Sequence, residues 1–202
     1  MRTTTLVVAT HNRGKLQEFH TLLAPAQLQI FSLDDLLIRN DHAETGASFA
    51  ENARTKAVEY SRQTEHPVLA DDSGLEVAAL GGRPGIRSAR YGRPGANDRD
   101  RIGQLLLELE RTPGERQARF VCALALAQKG ALIIETEGEC RGEIALEPRG
   151  VNGFGYDPIF LFPELGRTYA ELKPAEKNRV SHRARAVASL LKRLESLHLF
   201  AT

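Results

Sequence analysis

The stretch ADDSGL, residues 70–75, sets two carboxylates, a hydroxyl and a glycine directly behind the apolar run Val68, Leu69 and Ala70. Charged groups beside an apolar interior are costly unless something compensates them. Successive side chains on an extended chain point to opposite faces, so Asp71 and Asp72 do not easily share one direction. One can ligate a hard cation while the other anchors the loop. Mg2+ in particular takes one or two protein carboxylates together with substrate phosphates. The competing reading is an Asp-rich turn, because Asp-Ser-Gly is good turn chemistry.

A second candidate is THNRGK, residues 10–15, which follows a strand and opens a helix. Backbone N–H groups and the helix dipole attract anions at such a corner. It is not a P-loop: Ala9 stands where the first glycine belongs, and Leu16 replaces the Mg2+-binding hydroxyl residue. Thr10, Asn12 and Lys15 remain as donors, evenly balanced against a plain Asn helix cap with a solvated lysine. Glu44, in the loop HAETG, is free to reach a metal, whereas Glu51 has capping-box spacing from Ser48.

Three further segments carry suitable groups. Residues 81–95, GGRPGIRSARYGRPG, set Arg83, Arg87, Arg90 and Arg93 among glycines and prolines, which reads as a phosphate-facing, acid-pairing or merely solvated loop. GFGYDPIF, residues 153–160, offers close backbone approach and two aromatics, Phe154 and Tyr156; aromatic faces stack on bases at about 1 to 3 kcal/mol each. EKNRVSHRARA, residues 176–186, places Lys177 before, and His182 and Arg183 within, the first turn of a last helix. Cations there oppose the helix dipole, a cost that an anionic or carbonyl-bearing ligand offsets.

The elements that must hold these groups follow from pattern. Residues 4–10 and 28–33 read as strands, and a helix from about Gly14 to Leu23 is stopped by Pro25. Another helix begins near Phe49. PVLAD and GLEVAAL read as strands flanking the acidic turn. Asn97 or Asp98 caps a helix to about Glu110, and residues 118–142 form a long hairpin turning at Lys129 and Gly130. The last helix starts near Ser181, with Val187, Leu190, Leu191 and Leu194 as its apolar stripe. Interleaved strands and helices with an antiparallel hairpin predict an α/β fold with a mixed central sheet and flanking helices.

Composition narrows the classes. The 202 residues are 42% hydrophobic and 26% charged, ordinary for a globular chain. No apolar run reaches the ~20 residues that cross a bilayer, and the start lacks a secretory signal pattern, so a cytoplasmic protein without membrane partners is expected. With 27 basic and 26 acidic residues, the net charge of +1 gives no general attraction to nucleic acid. Cys122 and Cys140 are expected as buried thiols, and no Cys/His set has zinc spacing.

Taken together and in order, THNRGK, ETGASFAENARTKA, ADDSGL, PGIRSARY, GFGYDPIF and EKNRVSHR resemble the inosine triphosphate pyrophosphatase family across nearly the whole chain. The resemblance implies a single catalytic domain, residues 1–202, of two lobes around a central active-site cleft, working as a Mg2+-dependent homodimer. Its implied reaction splits ITP, dITP or XTP to the monophosphate and pyrophosphate, keeping aberrant purines out of nucleic acids. Thr10, His11, Asn12, Arg13, Gly14 and Lys15 would hold the triphosphate, with Lys15 as the main charge. Glu44 and Asp72 would bind Mg2+, and Asp72 would be the base for the attacking water. Ser73 would touch the nucleotide, and Phe154, Gly155, Tyr156 and Asp157 would line the base pocket. Lys177, His182 and Arg183 would complete it, reading the keto group at purine position 6.

The chain departs from the family pattern at His11, where glycine is common, and at Ala43, where an acid is often found. Two other classes fit the residues less well. A non-catalytic purine-nucleotide sensor need not keep both Asp72 and Lys15, and an RNA-binding domain sits poorly with near-zero net charge.

Overall fold

A computed structural model of the chain describes residues 4–40 and 42–197. The first predicted strand is β1 (Thr5–Ala9), followed by α1 (Arg13–Leu23), β2 (Gln29–Ser32) and α2 (Phe49–Ser61). Then come β3 (Val68–Val77), α3 (Asp98–Arg111), β4 (Gln117–Gln128), β5 (Ala131–Ile144), β6 (Phe160–Phe162), β7 (Arg167–Thr168), α4 (Pro174–Val180) and α5 (His182–Ser196). The strands form one seven-stranded sheet in the order β2-β1-β3-β4-β5-β6-β7. β1 is parallel to β2 and β3, while β6 is antiparallel to β5 and β7, so the sheet is mixed as expected.

Helix starts follow local chemistry. Asn12 Oδ1 accepts from the Lys15 N–H and Ser48 Oγ from the Glu51 N–H, capping α1 and α2. Each such cap stabilises by about 1 kcal/mol. Asn97 and Asp100 form a reciprocal capping box on α3. Residues 81–95 are less irregular than their composition implied, since Gly85–Arg90 forms a 3-10 helix. Arg83 and Arg93 pair with Glu108 and Asp100, which favours the acid-pairing reading for those two.

Two expectations are corrected. The strands expected either side of an acidic turn are a single strand, β3, running straight through Asp71, Asp72, Ser73 and Gly74. A turn needs these side chains to bond their own backbone; instead the carboxylates find partners on α1 and α2, so nothing draws the chain out of extension. Lys177 does not merely precede the last helix but lies on a short helix of its own, α4, separated from α5 by extended Ser181. Pro174 suits the first turn of α4, where its missing N–H has no helical partner to lose.

The chain divides into two compact units, each with its own core. The first comprises the chain up to Asp72, Cys122–Gly138 and the chain from Arg183 onward. Here Leu6, Val8 and Leu69 pack with Phe19 and Leu23 of α1 and with Val187, Leu190 and Leu194 of α5. Burying each such side chain contributes roughly 1.5–3 kcal/mol. The second unit comprises Ser73–Val121 and Glu139–His182, and an aromatic cluster of Phe120, Phe160, Phe162 and Tyr169 lies in its core. Cys122 and Cys140 are both buried as thiols.

Candidate active site

In the first unit, the end of β1 delivers Thr10, whose Oγ1 accepts from the Asn12 N–H at 3.1 Å. Together with the Asn12 cap this shapes the loop entering α1, while His11, Asn12 and Arg13 stay exposed and Gly14 is half-buried. His11 Nδ1 lies 3.5 Å from Asp34 Oδ1. Lys15, in the first turn of α1, extends its Nζ to Asp71 Oδ1 at 2.9 Å.

Asp71 is wholly enclosed and surrounded by donors. Besides Lys15, Arg183 Nη2 donates to its Oδ2 at 3.1 Å, and the Cys122 thiol lies at 3.8 Å from the same oxygen. Burial by itself would raise this carboxyl's pKa, but Lys15, Arg183 and Lys56 outweigh it and hold the group well below the ordinary range. Burial likewise disfavours charge on Arg183, yet Asp71 and Glu18 keep its guanidinium firmly protonated. Arg183 donates to both carboxylates and is 1% exposed. Cys122 is pushed up, by burial first and by Asp71 second, so this thiol is inert.

Asp72 has the opposite character. Its Oδ2 accepts from Asn52 Nδ2 at 2.8 Å, and its carboxyl is pushed up to about 6 by burial first and by the neighbouring Glu44 charge second. A carboxyl titrating close to neutrality in a polar corner is what proton-transfer chemistry requires. Glu44 is half-buried, with Lys56 Nζ at 3.4 Å from its Oε1; the same ammonium donates to the Asp71 carbonyl at 3.3 Å.

The second unit gathers the remaining candidates. Asp157, 2% exposed, accepts from the Phe154 N–H at 2.9 Å and from Lys177 Nζ at 2.5 Å. Lys177 Nζ also lies 4.7 Å from the centroid of the Phe154 ring, a cation–π distance. The Gly155 N–H donates to Asp98 Oδ2. Tyr156 is a core residue whose hydroxyl donates to the Ser88 carbonyl at 3.0 Å, so of the two aromatics Phe154 keeps the more accessible face. His182 stacks on Phe120 with centroids 4.7 Å apart, and Ser73 is half-buried on β3. The candidates are therefore gathered in two groups: residues 10–15, Glu44, Asp72 and Arg183 in the first unit, and Ser73, residues 154–157, Lys177 and His182 in the second.

Asn52 and Lys56 escaped the sequence reading, as did the pairing of Lys15 and Arg183 with Asp71. A signal was present. Phe49, Ala53, Ala57 and Tyr60 define the buried face of α2, and Asn52 and Lys56, four residues apart, sit beside that stripe where apolar residues are expected.

The chain matches the Ham1 family over residues 6–193. It is 51% identical over 193 residues to a dITP/XTP pyrophosphatase of Geobacillus kaustophilus, covering 95% of each chain. A dITP/XTP pyrophosphatase of Bacillus subtilis is 45% identical over 191 residues, covering 94% of this chain and 96% of that one. Among solved structures, a HAM1 protein from Coxiella burnetii superposes with a TM-score of 0.87 at 42% identity, covering 96% of this chain and 100% of that one. The Staphylococcus aureus Ham1 protein gives 0.84 at 38% identity, covering 96% and 99%. The mixed-sheet α/β fold is that of these proteins, and the chain belongs to the Ham1 family. The resemblance read from its six segments holds.

Proposed function

We propose that this chain is a nucleoside triphosphate pyrophosphatase that hydrolyses dITP, ITP and XTP to the monophosphate and pyrophosphate. The observation that carries the reading is the divided fate of two adjacent acids. Asp71 is locked as a carboxylate under Lys15, and Asp72 is left near neutrality beside Glu44. The names of the relatives support dITP and XTP as substrates.

Asp72 and Glu44 suit a Mg2+ ion. They are hard oxygen donors, and Asp72 is raised by burial first and by the Glu44 charge second, a repulsion that a divalent cation relieves. When bound, Mg2+ would neutralise phosphate oxygens as charge develops on the leaving group. The protein's own contribution is positioning. Asp71 aims Lys15, and the Arg13 and Gly14 N–H groups at the start of α1 donate to phosphate oxygens. Water adds to the α-phosphorus, the bond to the bridging oxygen of the pyrophosphate breaks, and Asp72 takes the proton from the water. On the base side, Phe154 offers a stacking face, while Ser73, Lys177 and His182 supply donors that favour a 6-keto purine, with Asp157 holding Lys177 in place. A site of donors left unpaired against adenine discriminates by up to ~10^4.

The resemblance further supports a homodimer in the cytoplasm; among the described residues no helix is long and apolar enough to cross a membrane. The direct test is incubation with Mg2+ and a panel of nucleoside triphosphates. Pyrophosphate released chiefly from dITP, ITP and XTP is expected. Orthophosphate release, or equal turnover of ATP, would overturn the reading.

A further inference from the structure

We propose that Asn52 is a positioning residue that ties the two metal-ligand candidates, Asp72 and Glu44, to one rigid helix; the inference rests on the hydrolase reading above. Asn52 is 1% exposed on α2. Its Nδ2 donates to Asp72 Oδ2 at 2.8 Å, and its Oδ1 accepts from the Gly46 N–H at 2.7 Å. Gly46 lies two residues beyond Glu44 in the loop entering α2.

The chemistry of the two ends leaves one amide orientation. A backbone N–H can only donate and a carboxylate can only accept, so the oxygen must face Gly46 and the nitrogen Asp72. A planar amide is the group that offers both functions within one short side chain; aspartate would set oxygen against oxygen, and leucine would satisfy neither end. Leaving such partners unpaired in a buried place is costly.

One turn further along α2, Lys56 reaches the Glu44 side chain. The Glu44 loop is thus held from α2 by its backbone through Asn52 and by its carboxylate through Lys56, with a further tie from the Ala47 N–H to Glu51 Oε2. Gly46 belongs to the same device. A Cβ there would lie 2.7 Å from Asn52 Oδ1 and 3.0 Å from Glu51 Cγ, so any side chain must displace the amide or the loop. The loop, the amide and Asp72 form one chain of contacts in which moving any member moves the ligand set.

The test compares wild type, Asn52→Leu, Gly46→Ala and Asp72→Asn. Each is checked for fold by circular dichroism, for binding of Mn2+ alone by electron paramagnetic resonance, and for dITP kinetics at saturating Mg2+. Asn52→Leu is expected to weaken Mn2+ binding and lower kcat by about 10- to 100-fold, as residues supporting metal ligands do. KM for dITP should stay within about threefold, because no substrate contact is removed. Gly46→Ala, which keeps the Asn52 amide but forces it or the loop to shift, should move both quantities the same way by a smaller factor, and decides the matter if Asn52→Leu does not fold. If Asp72→Asn loses Mn2+ while Asn52→Leu or a folded Gly46→Ala binds it like wild type, the inference fails and the hydrolase reading stands. A wild-type protein that neither holds Mn2+ nor releases pyrophosphate from dITP overturns both.

Discussion

Asp71 and Asp72 are neighbours in sequence whose carboxylates answer to different helices: Asp71 accepts from Lys15 of α1 at 2.9 Å, and Asp72 from Asn52 of α2 at 2.8 Å. The alternation of an extended strand makes this division. One acid becomes a permanent charge inside a network of cations; the other is pushed up to about 6, where it exchanges a proton near neutral pH. Their substitutions should therefore fail in different ways.

Replacing Asp72 by asparagine should keep the fold, since the amide can still accept from Asn52, and lower kcat for dITP by at least ~10^2-fold, the low end of general-base effects. Steady-state kinetics with unchanged circular dichroism would show it. Near-normal turnover removes Asp72 from the mechanism.

Asp71→Ala should instead cost stability. It leaves Lys15 and Arg183 facing a void, and removing one partner of a buried ion pair costs about 3–5 kcal/mol. Urea denaturation measures this directly. A midpoint unchanged from wild type would mean that the network is dispensable to folding.

Mg2+ should stabilise the protein more above pH 6 than below it. Because folding raises Asp72 to about 6, this acid favours the folded state while protonated, and that contribution is lost as pH rises through about 6. Above it the carboxylate is charged and beside Glu44, where a cation relieves the repulsion. The rise in Tm on adding Mg2+ should be clearly larger at about pH 7.5 than at about pH 5. Equal rises at both would show that Asp72 is not the ligand.

Gly153 and Gly155 both have positive φ, 77° and 61°, but only the first is crowded. A Cβ on Gly153 would lie 2.0 Å from Asp157 Oδ2, whereas one on Gly155 meets nothing within 4 Å. Gly155→Ala should cost about 1 kcal/mol from backbone strain alone. Gly153→Ala should cost more and also raise KM for dITP, since it displaces the Asp157 carboxylate that holds Lys177. Matching losses in the two variants would contradict this.

Most of the fold was legible because its signals are local. The Asn12 and Ser48 caps, the Asn97 start of α3 and the turn at Lys129 and Gly130 depend on residues within a few positions of one another. The failures were long-range or short in extent. α4 has seven residues, too few for periodicity to register. The acidic dipeptide looked like a turn because its partners, Lys15 and Asn52, are 56 and 20 residues away. Asn52 and Lys56 passed as ordinary polar positions of α2 for the same reason.

What the sequence determined by itself was the kind of chemistry: paired acids after an apolar strand, a basic corner opening a helix, and six segments in family order. Residue types and their spacing carry that information because strand alternation and helix capping act over a few bonds. Only the tertiary structure decided which acid is which. Lys15 and Arg183, brought from opposite ends of the chain, hold Asp71 charged against its burial; burial beside Glu44 pushes Asp72 up to about 6. Desolvation and Coulomb interactions depend on distances that folding creates, and no local pattern encodes them.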